Sequence, residues 1–398
     1  MKKILSILLA LILCLGVFMS CGNEENSSSE SDQESFSQSE ESSTPQGVAV
    51  ELKYTFLSNS DVEVSIGTAK YLKEIVIPEE YNGARVTRIA DDGFKNAESL
   101  KKISIPDTVT SIGSRAFENC RSLESIEVSY KVVEIGEDAF KGCPIKTAAA
   151  PSSVLSSLPK DTIKEVNIVG NFIIFAGSMK DCEVLSSVTI PDGAVVFEGA
   201  FDNCPSLTNV HISKKVTDVE PGAFKNCPIV EVSAPYHALP GLPHDTVKKL
   251  TITTTDETGS MFYQFSRFTA LEEVTLPEGI TSIGRYFCFV NCHTIKCINL
   301  PKGLTDIEIK AFENCTSLES VEIPDSVTLI NTLAFNGCKS LKTITIPISV
   351  TQMRGNAFVY CTSLETINCE AMSKPDGWDY NWLHSECTAM VNWGYTEG

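Results

Sequence analysis

Apolar residues recur along this chain as LxxIxI, usually followed by proline, at nearly fixed intervals from residue 72 onward. The first positions of the motif are Leu72, Leu100, Leu123, Ile145, Ile163, Leu185, Leu207, Ile229, Val247, Leu271, Ile295, Leu318, Leu341 and Leu364, which makes 14 rungs. Most steps are 22 to 24 residues, but two, Ile145 to Ile163 and Ile229 to Val247, are only 18. Both short steps lie in a larger duplication, in which CPIKTAAAPSSVLSSLPKDTIKEVNI matches CPIVEVSAPYHALPGLPHDTVKKLTI 84 residues later. Alternation over so few residues predicts one short strand per unit with every second side chain inward. Proline ends that strand, and a second apolar pair follows, such as Val109 with Ile112 or Val327 with Ile330. The unit closes with AFxxCxxL, where Phe117, Cys120 and Leu123, like Phe312, Cys315 and Leu318, recur every three residues and share one side of a tight helical turn. No single unit can bury such a surface alone, whereas a stack of units can.

A period in the low twenties with one strand per unit predicts a repeat solenoid of the leucine-rich-repeat type, with one short parallel strand per rung, β-rich with short helical turns, and capped at both ends. The consensus IPDxVTxIGxxAFxxCxSLxxIxI, over residues 50 to 370, resembles the BspA-like branch of leucine-rich-repeat bacterial surface proteins. The opening block VELKYTFLSNSDVEVSIGT resembles that family's N-terminal strand cap, which gives residues 48–71 to the cap and 72–369 to the solenoid. The closing CEAMSKPDGWDYNWLHSECTAMVNWGY, which holds all three tryptophans, resembles a C-terminal cap over 370–398. The resemblance implies a secreted or surface-anchored binding protein engaged in adhesion or host contact. It names no ligand.

Ahead of the repeats, Lys2 and Lys3 precede 16 mostly apolar residues, Ile4 to Met19, then Ser20 and Cys21. The run is short for a spanning helix and predicts a signal peptide over residues 1–20. Ser20 before Cys21 resembles the lipobox of bacterial lipoproteins, which makes Cys21 the lipidated N-terminus and the membrane a partner through that lipid. Phe18 and Met19 depart from the box, Cys14 fits it less well, and an ordinary cleaved signal peptide is the alternative. Residues 22–47 hold nine serines, seven acids and no Lys or Arg. Such a segment buries too little apolar surface to offset its ordering entropy, so residues 21–47 are expected to be a lipidated cysteine followed by a disordered tether.

The formal charge of −19 over 398 residues lacks the basic face that releases counterions from a phosphate backbone, so no nucleic-acid partner is expected. Nine of the 15 cysteines share one register, three residues after the repeat phenylalanine or its substitute Met179. The same slot is Ala97 in one rung and Phe268 in another, which neither a metal ligand nor a nucleophile would tolerate. The slot reads as a small buried apolar position, which free cysteine fills. Stacked rungs bring equivalent Cα atoms within bonding range, but their Cβ vectors are parallel, so reduced thiols are expected. Cys369 and Cys387, which flank the tryptophan cap outside that register, are the one candidate disulfide pair.

The five histidines form no HExxH or HxH, there is no CxxC, and no phosphate-binding or nucleophile-elbow motif occurs, so no catalytic residue, cofactor or metal is expected. Just after each strand's first anchor, the last six rungs read Lys248, Glu272, Lys296, Glu319, Lys342 and Glu365, which predicts an alternating charge ladder. Together these readings give a lipid-anchored, non-catalytic module at the bacterial cell surface that binds an extracellular protein or glycan. A secreted glycan-active or cell-wall-active enzyme with a repeat targeting region, and an architectural surface-layer component, are the alternatives.

Overall fold

The structure, a computed structural model, describes residues 51–170, 173–255, 265–284, 288–385 and 387–396. The signal peptide, Cys21 and the tether expected over residues 1–47 lie outside the described residues, as do residues 48–50 of the N-terminal cap.

Each of the 14 anchors leads two residues later into a short strand, from Glu74–Val76 to Thr366–Cys369. The first 12, ending at Ser320–Val321, pair in parallel and in chain order as one sheet. Thr343–Ile346 and Thr366–Cys369 continue in a second sheet, with Met390–Trp393 at its edge. Register places like over like, with Val188 beside Val210 and Ile190 beside Ile212, so the inward apolar rows of successive rungs stack into one core. The chain is thus a parallel β-solenoid of 14 rungs, with no α-helix among the described residues.

The N-terminal hairpin, Lys53–Phe56 with Asp61–Ser65, pairs in parallel through its second strand with Ala84–Ile89 and so opens the second side of the solenoid. That side continues through Ser111–Ile112 and Glu134–Ile135, then breaks. It resumes as Ile173–Ile174, Val195–Val196 and Asp218–Val219, breaks again, and runs from Ser282–Ile283 to Gln352–Met353. The breaks fall at the two 18-residue rungs, where 3-10 segments, Leu155–Ser157 and Tyr236–Gly241, replace both the second strand and the AFxxC turn. Repeat glycines on this side are forced by close approach: a Cβ on Gly136 would stand 2.2 Å from the Ser114 nitrogen.

The third side links Phe, Cys and Leu by i to i−3 bonds, as in Cys120 N–H to Phe117 O and Leu123 N–H to Cys120 O, both 3.1 Å. Between them lie left-handed residues, two per rung: Arg115 and Asn119 at φ +53° and +61°, Gly199 and Asn203 at +73° and +60°, Lys310 and Asn314 both at +59°. Alternating handedness turns every second N–H toward the following rung. The N–H groups of Asp92, Phe94 and Asn96 therefore donate to Ser114, Ala116 and Glu118 carbonyls at 2.7 to 2.8 Å. The turn is thus itself a hydrogen-bonded ladder, and the Asn or Gly preceding seven of the nine repeat cysteines suits a backbone that needs positive φ, which Asp181 and Tyr360 adopt before the other two. Asparagine side chains reinforce the ladder, as in Asn119 to Asn96 at 3.2 Å and Asn314 to Asn291 at 3.0 Å.

Behind this ladder the phenylalanines stack, with ring centroids 5.4 Å apart for Phe94–Phe117, 5.6 Å for Phe289–Phe312 and 5.2 Å for Phe312–Phe335. The C-terminal segment acts as a degenerate further rung. Trp378 bridges to Met353 on the second side, Trp382 meets Phe358 edge-on at 6.4 Å, and Met390–Trp393 extends the strand side. The three tryptophans contact one another at 5.0 to 6.4 Å over the last rung.

Candidate binding surfaces

The cysteine slot does more than fill space. Cys120, Cys143, Cys204, Cys227, Cys315, Cys338 and Cys361 each aim the thiol at the phenylalanine-position carbonyl of the preceding turn, at 2.9 to 3.3 Å. The remaining two, Cys182 and Cys292, follow irregular rungs. So does Phe268, while Ala97 opens the series; where no regular turn precedes the slot, the thiol contact is absent whether or not a cysteine is kept. A reading of the slot as apolar alone therefore missed its donor role, which only the backbone direction reveals.

All the described cysteines are free thiols. Burial pushes Cys315 up to about 12, so its thiolate, the reactive form, is scarce at neutral pH. Cys369 and Cys387 are separate thiols: Cys369 is buried at the end of its strand beside Trp393, while Cys387 is raised by burial and by neighbouring Cys361. Thiol reagents are expected to label half-exposed Cys297 and Cys387 first and the nine repeat cysteines only on denaturation. Mass spectrometry after a short native pulse checks this, and rapid labelling of Cys120 or Cys315 would contradict it.

Outward strand positions form a grid of short polar and charged groups about 4.8 Å apart between rungs. Thr147 donates to Ser125 at 2.9 Å, Asn299 to Thr275 at 3.1 Å and Asn392 to Asn368 at 3.0 Å. The charge ladder is real over three rungs: Glu272 pairs with Lys248 at 3.1 Å and with Lys296 at 2.5 Å, and these lysines hold its carboxyl below the usual range. Among the described residues, Glu319, Lys342 and Glu365 make no ion pair. The sheet is interrupted between Ser320–Val321 and Thr343–Ile346, and solvated charges gain little from holding fixed contact, so alternation of sign alone does not build a ladder.

Exposed aromatic surface occurs at both ends and also between them, where Phe175, 61% exposed, stacks on Phe197 with ring centroids 6.2 Å apart. At the N-terminal end Tyr54 stacks on Tyr81 with centroids 3.9 Å apart, and Phe56, 54% exposed, sits 6.5 Å from Tyr81. The alternating YTF of residues 54–56 was the sequence signal for this group. At the other end Trp378 and Trp382 are buried, whereas Tyr380 is 93% exposed. The histidines do not converge: His237 bonds the Val216 carbonyl at 2.7 Å, and His244, lowered by burial, stands edge-on to Phe268. Among the described residues no group of three or more His, Cys, Asp or Glu could hold a metal, and no helix is long and apolar enough to cross a membrane.

A stack of parallel rungs whose inward rows are spent on the core, and whose variable positions all face solvent, defines a leucine-rich-repeat scaffold. The chain belongs to the BspA type leucine-rich-repeat family: the description "BspA type Leucine rich repeat region (6 copies)" matches residues 87–192, 160–239 and 260–374. No curated protein matches the chain significantly. Among solved structures it is similar to a leucine rich cell surface protein from Faecalibacterium prausnitzii A2-165, with 23% identity, 89% of this chain and 96% of that chain covered, and a TM-score of 0.28. A leucine-rich repeat protein from Bacteroides ovatus ATCC 8483 shows 23% identity, coverage of 87% and 99%, and a TM-score of 0.30. The pneumococcal vaccine antigen PcpA shows 16% identity, coverage of 85% and 90%, and a TM-score of 0.31.

Proposed function

We propose that the protein is an exported binding module, lipidated at Cys21 and held off the bacterial surface by its acidic tether, that attaches to an extracellular protein or glycan without catalysis. The observation that carries this reading is the division of labour on the solenoid. Its long strand grid is polar or charged and partly self-bonded, while aromatic groups of the kind that anchor interfaces, Tyr54, Phe56 and Tyr81, stand together at the N-terminal end. Recognition is therefore assigned to the irregular N-terminal end.

The test has two arms. Cys21→Ser is expected to abolish detergent-phase partitioning of the mature protein; a wild-type chain that carries no lipid contradicts the anchor. The full chain, offered a panel of matrix proteins and glycans, is expected to attach to at least one. Phe56→Ala with Tyr81→Ala should weaken that attachment at least tenfold, and Lys248→Ala with Lys296→Ala should leave it intact. Turnover of a glycan in place of retention would favour an enzyme.

A further inference from the structure

The two short rungs interrupt the turn ladder, and what they leave behind is the same at both places. In the regular turn around Phe201, the N–H groups of Gly199, Phe201 and Asn203 donate to Gly222, Ala223 and Lys225 carbonyls of the next rung at 2.9 to 3.0 Å. The next turn presents the same three donors, Gly222, Phe224 and Asn226, with the same alternating handedness, Gly222 at φ +86° and Asn226 at +59°. The rung that follows it, residues 229–247, has a 3-10 segment where the accepting turn would be, and none of these three N–H groups has a partner. The equivalents 84 residues earlier, Asp138, Phe140 and Gly142, facing the short rung of residues 145–163, are likewise unpartnered. Phe224 and Phe140 are at most 1% exposed, so two of these amides belong to residues that are otherwise wholly in the core.

A second observation marks the later copy. Between the Phe224 turn and the short rung lies a cavity of about 660 Å³, lined by Phe224, Asn226, Leu242, Pro243 and Thr246 among others. The Thr246 hydroxyl is buried and has no hydrogen-bond partner, whereas its counterpart Thr162 donates to the Ile145 carbonyl at 2.9 Å. In the first copy the Lys160 ammonium reaches across to the Lys180 carbonyl at 2.7 Å; the second copy has His244 at that position. An unpaired buried polar group costs free energy, and here a row of donors and a hydroxyl share one space large enough for a ligand.

We infer that this notch is a docking slot for the main chain of a partner protein's peptide segment, whose carbonyl oxygens take the Gly222, Phe224 and Asn226 N–H groups. In the regular turns this same donor row is filled by backbone carbonyls, so a peptide main chain supplies acceptors of the right kind and spacing. Phe224, Leu242 and the prolines give apolar walls for its side chains. The single cation at the mouth, Lys225, is offset by Asp245, and the chain as a whole is acidic, so a free anion gains no net attraction. Recognition is by strand-like addition, with affinity from main-chain bonds and selectivity from the walls. This assignment rests on the binding-module reading and adds to it a second, mid-solenoid contact.

The experiment uses the full chain, amide exchange and a capped peptide of sequence Glu220–Pro228 with serine for its cysteine, whose native counterpart fills the Phe201 row. In the free protein the Gly222, Phe224 and Asn226 amides should exchange at least a hundredfold faster than those of Gly199, Phe201 and Asn203. The peptide should slow them at least tenfold, and Asp245→Trp or Lys225→Trp, each filling the mouth from an exposed position, should remove that protection without lowering the melting temperature. Slow exchange in the free protein, no response to the peptide, or equal protection by sodium phosphate or acetate would overturn the inference. These amides report on the notch itself, so the result is separate from whether the anchored protein attaches to the panel.

Discussion

Phe312→Ala is expected to remove about 3 to 5 kcal/mol of stability, the cost of a large cavity in a site that cannot collapse. Phe312 is buried between Phe289 and Phe335, and its backbone is tied to the turns on both sides, so neighbouring rungs cannot close the gap. Cys315→Ala removes far less volume but also the thiol donor to the Phe289 carbonyl at 3.2 Å. Its loss should be about 1 to 2 kcal/mol, within the range for deleting one small buried polar partner. Urea denaturation of the two variants against wild type checks the ranking. Equal losses would mean that the thiol row holds the turns together as much as the ring row does.

The second large effect is expected at the C-terminal cap. Trp382 covers Phe358 and braces Trp378 and Trp393, so Trp382→Ala opens the last regular rung to water from the end. The expected loss is again about 3 to 5 kcal/mol, but local, because each rung of a solenoid contacts only its neighbours. Amides in Thr343–Ile346 and Thr366–Cys369 should therefore exchange at least a hundredfold faster, while those in Lys102–Ser104 keep their wild-type rates. Uniform acceleration along the chain would show that the cap governs global unfolding and not fraying from one end.

The rung count and the strand positions were legible because core positions repeat: each LxxIxI anchor marks a buried row, and a buried row admits few residue types. The handedness of the turn was legible only in retrospect, in the Asn or Gly that precedes most of the repeat cysteines, since inward patterning says nothing about where N–H groups point. For the same reason the two 18-residue steps stood out in the sequence while the donors they strand did not. Charge alternation from Lys248 to Glu365 was plain, yet only Lys248, Glu272 and Lys296 meet, because solvated side chains answer to water as much as to each other. The aromatic trio at the N-terminal end needed the hairpin of Glu80–Tyr81 with Ala84–Ile89 to bring Tyr81 to Tyr54, a contact between residues 27 apart.

The duplicated block that begins at each short rung has a genetic consequence. The two copies lie 84 residues, or four rungs, apart in the same register, so recombination between them would delete or add 84 residues without creating a mismatched junction. Each event would shorten or lengthen the solenoid by four strand spacings, about 19 Å, and remove or add one short rung. Length and the number of short rungs would therefore change together, as a single unit of variation.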